Sequence, residues 1–307
     1  MTSTGAAIWT HGLTKHYGDV EALVDLDLEV ATGEVFGFLG PNGAGKSTMI
    51  RTILDLIRPT AGQAAILGMD THTESVEIRR RIGYVPGDLA LYPDMTGQQT
   101  LDYFASLRGG VDPAVVASLA ERFEADLTRK VGDYSTGNRQ KIGLIQAFMN
   151  EPDLLILDEP NTGLDPLMQQ EFHTLVEEVR AAGRTVFLSS HTLSEVERVA
   201  DRVGIIRKGR LVVVERVDVL KAKAIRRLEL TFANEVPASV FDGVAGVHEV
   251  HVDRTHARVS YEGSVNDLLR AALAHEVVSL NSREADLEEI FLTYYRDPER
   301  REVARAR

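Results

Sequence analysis

Short apolar runs alternate with helical periods along the first two-thirds of the chain. Val35-Phe36-Gly37-Phe38-Leu39, Leu154-Leu155-Ile156-Leu157 and Thr185-Val186-Phe187-Leu188 are continuous and bounded by polar segments, which predicts buried parallel strands. The residues after Thr48 and from Leu167 to Ala181 carry the pattern of helices between such strands. These β-α-β units predict a mixed sheet with a mainly parallel centre. Leu91 to Thr96 opens a mostly helical insertion, with helical periods through Leu101–Leu107 and Val115–Phe123. Asp112-Pro113 starts the second of these, with Pro at the first helical position. A last apolar helix, Ile142 to Phe148, closes the insertion.

The texture changes beyond Val212-Val213-Val214 and a bridge from Val217 to Ile225. Arg227–Phe232 alternates polar and apolar positions, and Val247–Val252 with Ala257–Tyr261 reads as a hairpin. Ser264-Val265-Asn266-Asp267 is expected to be a capping box ahead of Leu268–Leu273. A strand at Val277–Leu280 and a helix near Leu287–Tyr295 complete a small α+β unit, and Asp297–Arg307 is expected to be a loose tail. Leu287, Ile290, Phe291 and Tyr294 share one helical face, which must pack within the unit or across a dimer axis.

Chemistry concentrates at the ends of the predicted strands. Gly40-Pro41-Asn42-Gly43-Ala44-Gly45-Lys46-Ser47-Thr48 lies between a strand and a helix, the context of a phosphate-binding loop. Gly43 and Gly45 let backbone N–H groups approach phosphate oxygens, and the following helix points its positive end at the same anion. In such a loop Lys46 reaches the β- and γ-phosphates and the Ser47 hydroxyl ligates Mg²⁺. The strand at Leu154 ends in Asp158 and Glu159. The first is placed to hold the Mg²⁺ hydration shell, the second to polarise an attacking water. The strand at Thr185 ends on His191, whose imidazole can donate to a γ-phosphate.

Tyr134-Ser135-Thr136-Gly137-Asn138-Arg139-Gln140-Lys141 resembles the signature of ATP-binding cassette (ABC) ATPases, usually Leu-Ser-Gly-Gly-Gln. The order of phosphate loop, signature, Asp-Glu strand and His strand is that of the family. Asn161–Asp165 looks like its D-loop, with Asp165 at the acidic position. Lys15–Gly18 looks like its aromatic loop, in which Tyr17 would stack on adenine; Trp9 is a rival stacker. The resemblance covers roughly residues 7 to 216. It implies an α/β fold: a P-loop NTPase core of the ABC type from residues 1–86 and 151–216, a helical insertion over 87–150, and a small C-terminal α+β domain over 217–296, with a tail at 297–307. It implies that Gly40, Asn42, Gly43, Ala44, Gly45, Lys46, Ser47 and Thr48 bind ATP with Mg²⁺. Ser135, Gly137, Asn138 and Asp165 would complete the site of a second copy packed head to tail.

Two departures stand out. Thr136 replaces the first signature Gly and Asn138 the Gln, a form familiar in bacterial ABC exporters. After Ile82-Gly83-Tyr84-Val85-Pro86, where the family has the Q-loop Gln, stands Gly87. Either turnover leans harder on Glu159 and His191, or Asp88 supplies the missing oxygen to the metal.

Composition narrows the setting. Of 307 residues 44% are hydrophobic, enough for one full core and a smaller second unit. No cysteine is present, which removes disulfides and thiol catalysis. The net charge of −12 argues against coating a nucleic acid. Met1–Thr10 carries no signal-peptide pattern, and no run approaches ~18 apolar residues. The expectation is a peripheral protein at the cytoplasmic membrane face: a homodimeric ATPase subunit of a bacterial exporter, with separate integral-membrane permease subunits and no nucleic acid. Leu287–Phe291 resembles the C-terminal extension of daunorubicin-resistance-type ATPases, which points to drugs or antibiotics as cargo. An importer is disfavoured by the signature form and this extension. Ribosomal members usually carry two cassettes, and DNA-repair members carry long coiled-coil or zinc insertions; this chain has one P-loop and no such insertion.

Overall fold

The computed structural model describes residues 5–222 and 226–283. The chain divides into two compact units, residues 1–214 and 215–307. The expected helix at Leu287–Tyr295 and the tail lie outside the described residues.

The first unit opens with β1 (Ala6–Tyr17) and β2 (Val20–Ala31), then β3 (Val35–Leu39) and α1 (Lys46–Ile53). β4 (Ala61–Ile66), β5 (Met69–Asp70), α2 (Ser75–Arg81) and β6 (Ile82–Val85) follow. α3 (Gly97–Ser106), α4 (Pro113–Arg122) and α5 (Thr136–Phe148) form the insertion. The core returns with β7 (Leu154–Asp158), α6 (Pro166–Ala181), β8 (Thr185–Ser190), α7 (Leu193–Glu197), β9 (Arg202–Arg207) and β10 (Arg210–Arg216).

Six strands form one sheet in the order β10-β9-β3-β8-β7-β6, parallel from β9 through β6. β3, β7 and β8 are buried at every position, which is why they lack the alternation of a half-exposed strand. A second sheet, β2-β1-β4-β5, is antiparallel throughout. The six-stranded sheet has the mainly parallel centre expected from the sequence; the second, antiparallel sheet was not read there. The 12-residue β1 and β2 pair through a two-residue turn, an arrangement local in sequence that needs no crossover helix. Met49, Ile50 and Ile53 of α1 pack in one core with Ile8, Leu28, Phe36, Phe187 and Ile206, drawn from both sheets.

In the insertion, Asp112 caps α4 by accepting from Ala114 N at 2.9 Å, with Pro113 at the first turn. Thr96 and Gln99 form a reciprocal capping box on α3. Arg122 of α4 reaches α6, donating to Glu171 and, through both terminal nitrogens at 2.8 Å, to Glu178.

The second unit holds α8 (Val217–Ala222), β11 (Arg226–Phe232), β12 (Val247–Asp253), β13 (His256–Tyr261), α9 (Asn266–Leu273) and β14 (Val277–Arg283). Its antiparallel sheet runs β12-β13-β11-β14, and Leu228, Leu230, Val259, Phe241 and Leu268 form its core. The expected capping box at Ser264 does not form. Val265 occupies the N-cap position; the Ser264 hydroxyl accepts from Asn266 N at 3.3 Å, and Asp267 accepts from Arg270 at 2.5 Å. The helix thus starts one residue too late for Ser264 to be its cap.

Candidate functional site

The phosphate-loop candidates turn from β3 into α1. Gly45 takes φ +112, and a Cβ there would lie 2.6 Å from the Ala22 carbonyl oxygen. Only glycine allows both the left-handed turn and that approach to β2. Gly43 also has positive φ, and a Cβ on it would enter open space. Gly45 offers no side-chain cap and the first turn of α1 holds no acid, so the first N–H groups of this helix are left for an external anion.

Lys46 is buried, and its ammonium donates to the Gly40 carbonyl at 2.5 Å. It also lies 3.1 Å from Glu159 Oε1, while Glu159 Oε2 lies 2.8 Å from His191 Nδ1. Lys46, Glu159 and His191 therefore form one chain of contacts at the C-terminal ends of β3, β7 and β8, where an open α/β sheet places its ligands. Glu159 takes φ +52, a left-handed conformation uncommon for a residue with a Cβ. Its Oε1 is buried and receives no well-aligned hydrogen bond, so an acceptor is held ready for a donor from a ligand or water.

Asp158 is buried, and its Oδ1 accepts from Ser189 Oγ at 2.5 Å. A Cβ on Gly87 would stand 3.1 Å from Asp158 Oδ2. The backbone at the position of the missing Gln thus abuts the candidate metal carboxylate, whereas Asp88 is exposed. Burial pushes the Tyr84 hydroxyl up to about 12, with the Asp158 charge adding to the rise and Arg51 opposing it. A buried carboxylate with an oxygen turned to a side-chain-free position, next in sequence to the Glu159 that meets Lys46, fits a divalent cation bound with a nucleotide phosphate.

Tyr17 is 47% exposed and pairs with Val20 at the tip of the β1–β2 turn. The same hairpin brings Ala22 and Leu23 against Gly45, so Tyr17 belongs to the hairpin that borders the phosphate loop. Lys15 Nζ lies 5.0 Å over its ring. Trp9 sits within β1 and stacks on His11 instead.

The signature candidates gather at the start of α5. Ser135 Oγ accepts from Asn138 N at 3.2 Å and caps the helix. A Cβ on Gly137 would lie 2.3 Å from the Gly163 carbonyl oxygen, so this turn is packed on the D-loop candidate. Gln140 Nε2 donates to the Pro160 carbonyl at 2.9 Å and anchors α5 to the strand end that carries Glu159. The Asp165 carboxylate caps α6, accepting from Leu167 N and Met168 N at 3.0 Å. The structure brings the phosphate loop, Asp158, Glu159 and His191 together; Thr136 and Gly137 have the D-loop candidate as their neighbour.

Ser189, Gln140 and the Arg122 contacts were not read from the sequence. Ser189 stands directly opposite Asp158 in the β7–β8 register, which a linear pattern does not reveal.

The profile described as ABC transporter matches residues 23–162. A bacitracin transport ATP-binding protein, BcrA of Bacillus licheniformis, is 34% identical over 93% of this chain and 96% of its own length. The chain belongs to the ABC transporter family. A daunorubicin resistance ATP-binding protein, DrrA3 of Streptomyces coeruleorubidus, is 37% identical over 93% of this chain and 95% of its own. Among solved structures, one described as the ATP-binding subunit of an ABC transporter is 31% identical, with a TM-score of 0.65, covering 70% of this chain and 92% of its own. The residues that match the family, 23–162, lie within the first unit. No helix among the described residues is long and apolar enough to cross a membrane.

Proposed function

We propose that this chain binds and hydrolyses ATP as the motor subunit of a bacterial ABC exporter of drugs or antibiotics. The observation that carries the reading is the Lys46–Glu159–His191 chain of contacts beside an uncapped helix N-terminus. The names of the bacitracin and daunorubicin relatives, and their near full-length match, support the cargo class.

Each residue takes a role its position supports. The N–H groups from Asn42 to Thr48 cradle the phosphates, with Lys46 as their cation. Tyr17 stacks on the base. Ser47 and Asp158 would hold Mg²⁺, which when bound neutralises charge on the β- and γ-phosphates. Glu159 accepts a proton-side hydrogen bond from the attacking water, and His191 fixes the Glu159 carboxylate from its other oxygen. Hydrolysis yields ADP and phosphate. Lys46 must exchange its Gly40 and Glu159 contacts for phosphate oxygens, which releases Glu159 for the water.

Two chains pack head to tail, so that Ser135 and Gly137 of one close the site of the other, with Asn138 and Asp165 at the seam. Closure and opening of this dimer move separate permease chains at the cytoplasmic membrane face, seated against the insertion from Gly87 to Tyr103. The exposed Tyr92 and Tyr103, in edge contact at 5.6 Å, suit such a seat. Affinity purification of the tagged chain from membranes of its native host tests this: the chain should co-purify with a multi-span membrane protein and hydrolyse ATP. Partition with ribosomes and no ATPase activity would contradict it.

A further inference from the structure

Ser189 lies between the two carboxylates at the end of β7 and belongs to none of the motifs above. It is fully buried and faces Asp158 across the β7–β8 register. Its hydroxyl has one proton to give, and Asp158 Oδ1 receives it at 2.5 Å. Ser189 Oγ in turn accepts the Glu159 N–H at 3.2 Å, a donor shared with the Ser189 carbonyl at 3.2 Å.

We propose that Ser189 is a positioning residue that makes Asp158 Oδ2 the single oxygen offered to a divalent cation carried by the nucleotide. The proposal rests on the nucleotide reading above. A hydrogen bond to a carboxylate is strong and directional, so it fixes the plane of the Asp158 head group as well as its charge. With Oδ1 committed to Ser189, Oδ2 remains, and it faces Gly87, where no side chain competes or assists. In a protein with a Q-loop glutamine a second side chain would help to place the metal shell. Here Asp158 carries that duty with less help, so its orientation matters more. The bond from Glu159 N to the same hydroxyl keeps the left-handed Glu159 backbone in register with Asp158. One side chain therefore sets the spacing between the metal carboxylate and the carboxylate that faces water. Residues that orient a ligand from behind typically change metal affinity about 10–100-fold when removed.

The test uses the full chain and the fluorescent nucleotide TNP-ATP, titrated first in EDTA and then against free Mg²⁺, with the Mg²⁺ midpoint of ATP hydrolysis measured alongside. Ser189→Ala should melt close to wild type and keep its metal-free nucleotide affinity within about twofold. Its Mg²⁺ midpoint should rise about 10–100-fold in both assays. Ser189→Cys, nearly the same size but a weaker donor, should fall between the two. An unchanged Mg²⁺ midpoint in folded Ser189→Ala would overturn the proposal. If that variant does not fold, an unchanged midpoint in Ser189→Cys overturns it equally. A wild-type chain that binds no nucleotide at all would remove the nucleotide reading and this proposal together, a result distinct from a lost Mg²⁺ shift alone.

Discussion

Glu159 Oε1 lies 3.1 Å from Lys46 Nζ, so the carboxylate after β7 meets the lysine that opens α1 although β8 lies between their strands. The parallel sheet makes this possible by ending β3, β8 and β7 at one edge. Neither residue is informative alone. Together they place a cation for phosphate beside a base for water.

Glu159→Gln keeps the shape and the Lys46 contact but weakens the acceptor. Nucleotide binding should persist while turnover falls by about 10²–10⁴. The ATP-bound variant should run as a dimer on size-exclusion chromatography. Hydrolysis at the wild-type rate would remove Glu159 from the chemistry.

Gly87 abuts the Asp158 carboxylate, and Asp88 is exposed. Asp88→Ala should therefore leave kcat and the Mg²⁺ requirement within about twofold of wild type. A drop of about tenfold or more would assign the Asp88 carboxylate to the metal shell.

How much of this was legible in sequence depends on how local the signal is. The loop from Gly40 to Thr48 announces itself because strand, glycines and helix are contiguous. Pro113 behind Asp112 marks a helix start for the same reason. Ser189 was silent because its meaning lies in the β7–β8 register, 31 positions from Asp158. Ser264 misled, since Ser-x-x-Asp matches a capping pattern, yet Arg270 engages Asp267 and Val265 takes the cap position. The antiparallel β1–β2 pair escaped notice because β1 shifts register at several points, which breaks its alternation.

Arg122 ties α4 of the insertion to α6 of the core. Its hydrogen bonds hold the Glu178 carboxyl below the ordinary 4.5, against a smaller opposing effect of burial. A depressed folded value means the contribution is present above the unfolded value and lost as pH falls through the folded one. The gap in melting temperature between wild type and Glu178→Gln should be widest near neutral pH and close on acidification below about 4.5. A gap that stays constant through that acid range would show that the ion pair does not link the two segments.

The central claim is that each ATP site is shared, with the phosphate loop from one chain and the Ser135–Gly137 turn from another. Lys46→Ala removes the phosphate cation, and Ser135→Arg places a bulky side chain at an exposed signature position. Each variant alone should have little ATPase activity. Mixed in equal amounts, they should form dimers in which one site has an intact Lys46 and an intact Ser135, and activity should return to a clear fraction of wild type. A mixture no more active than the sum of its parts would contradict the shared site.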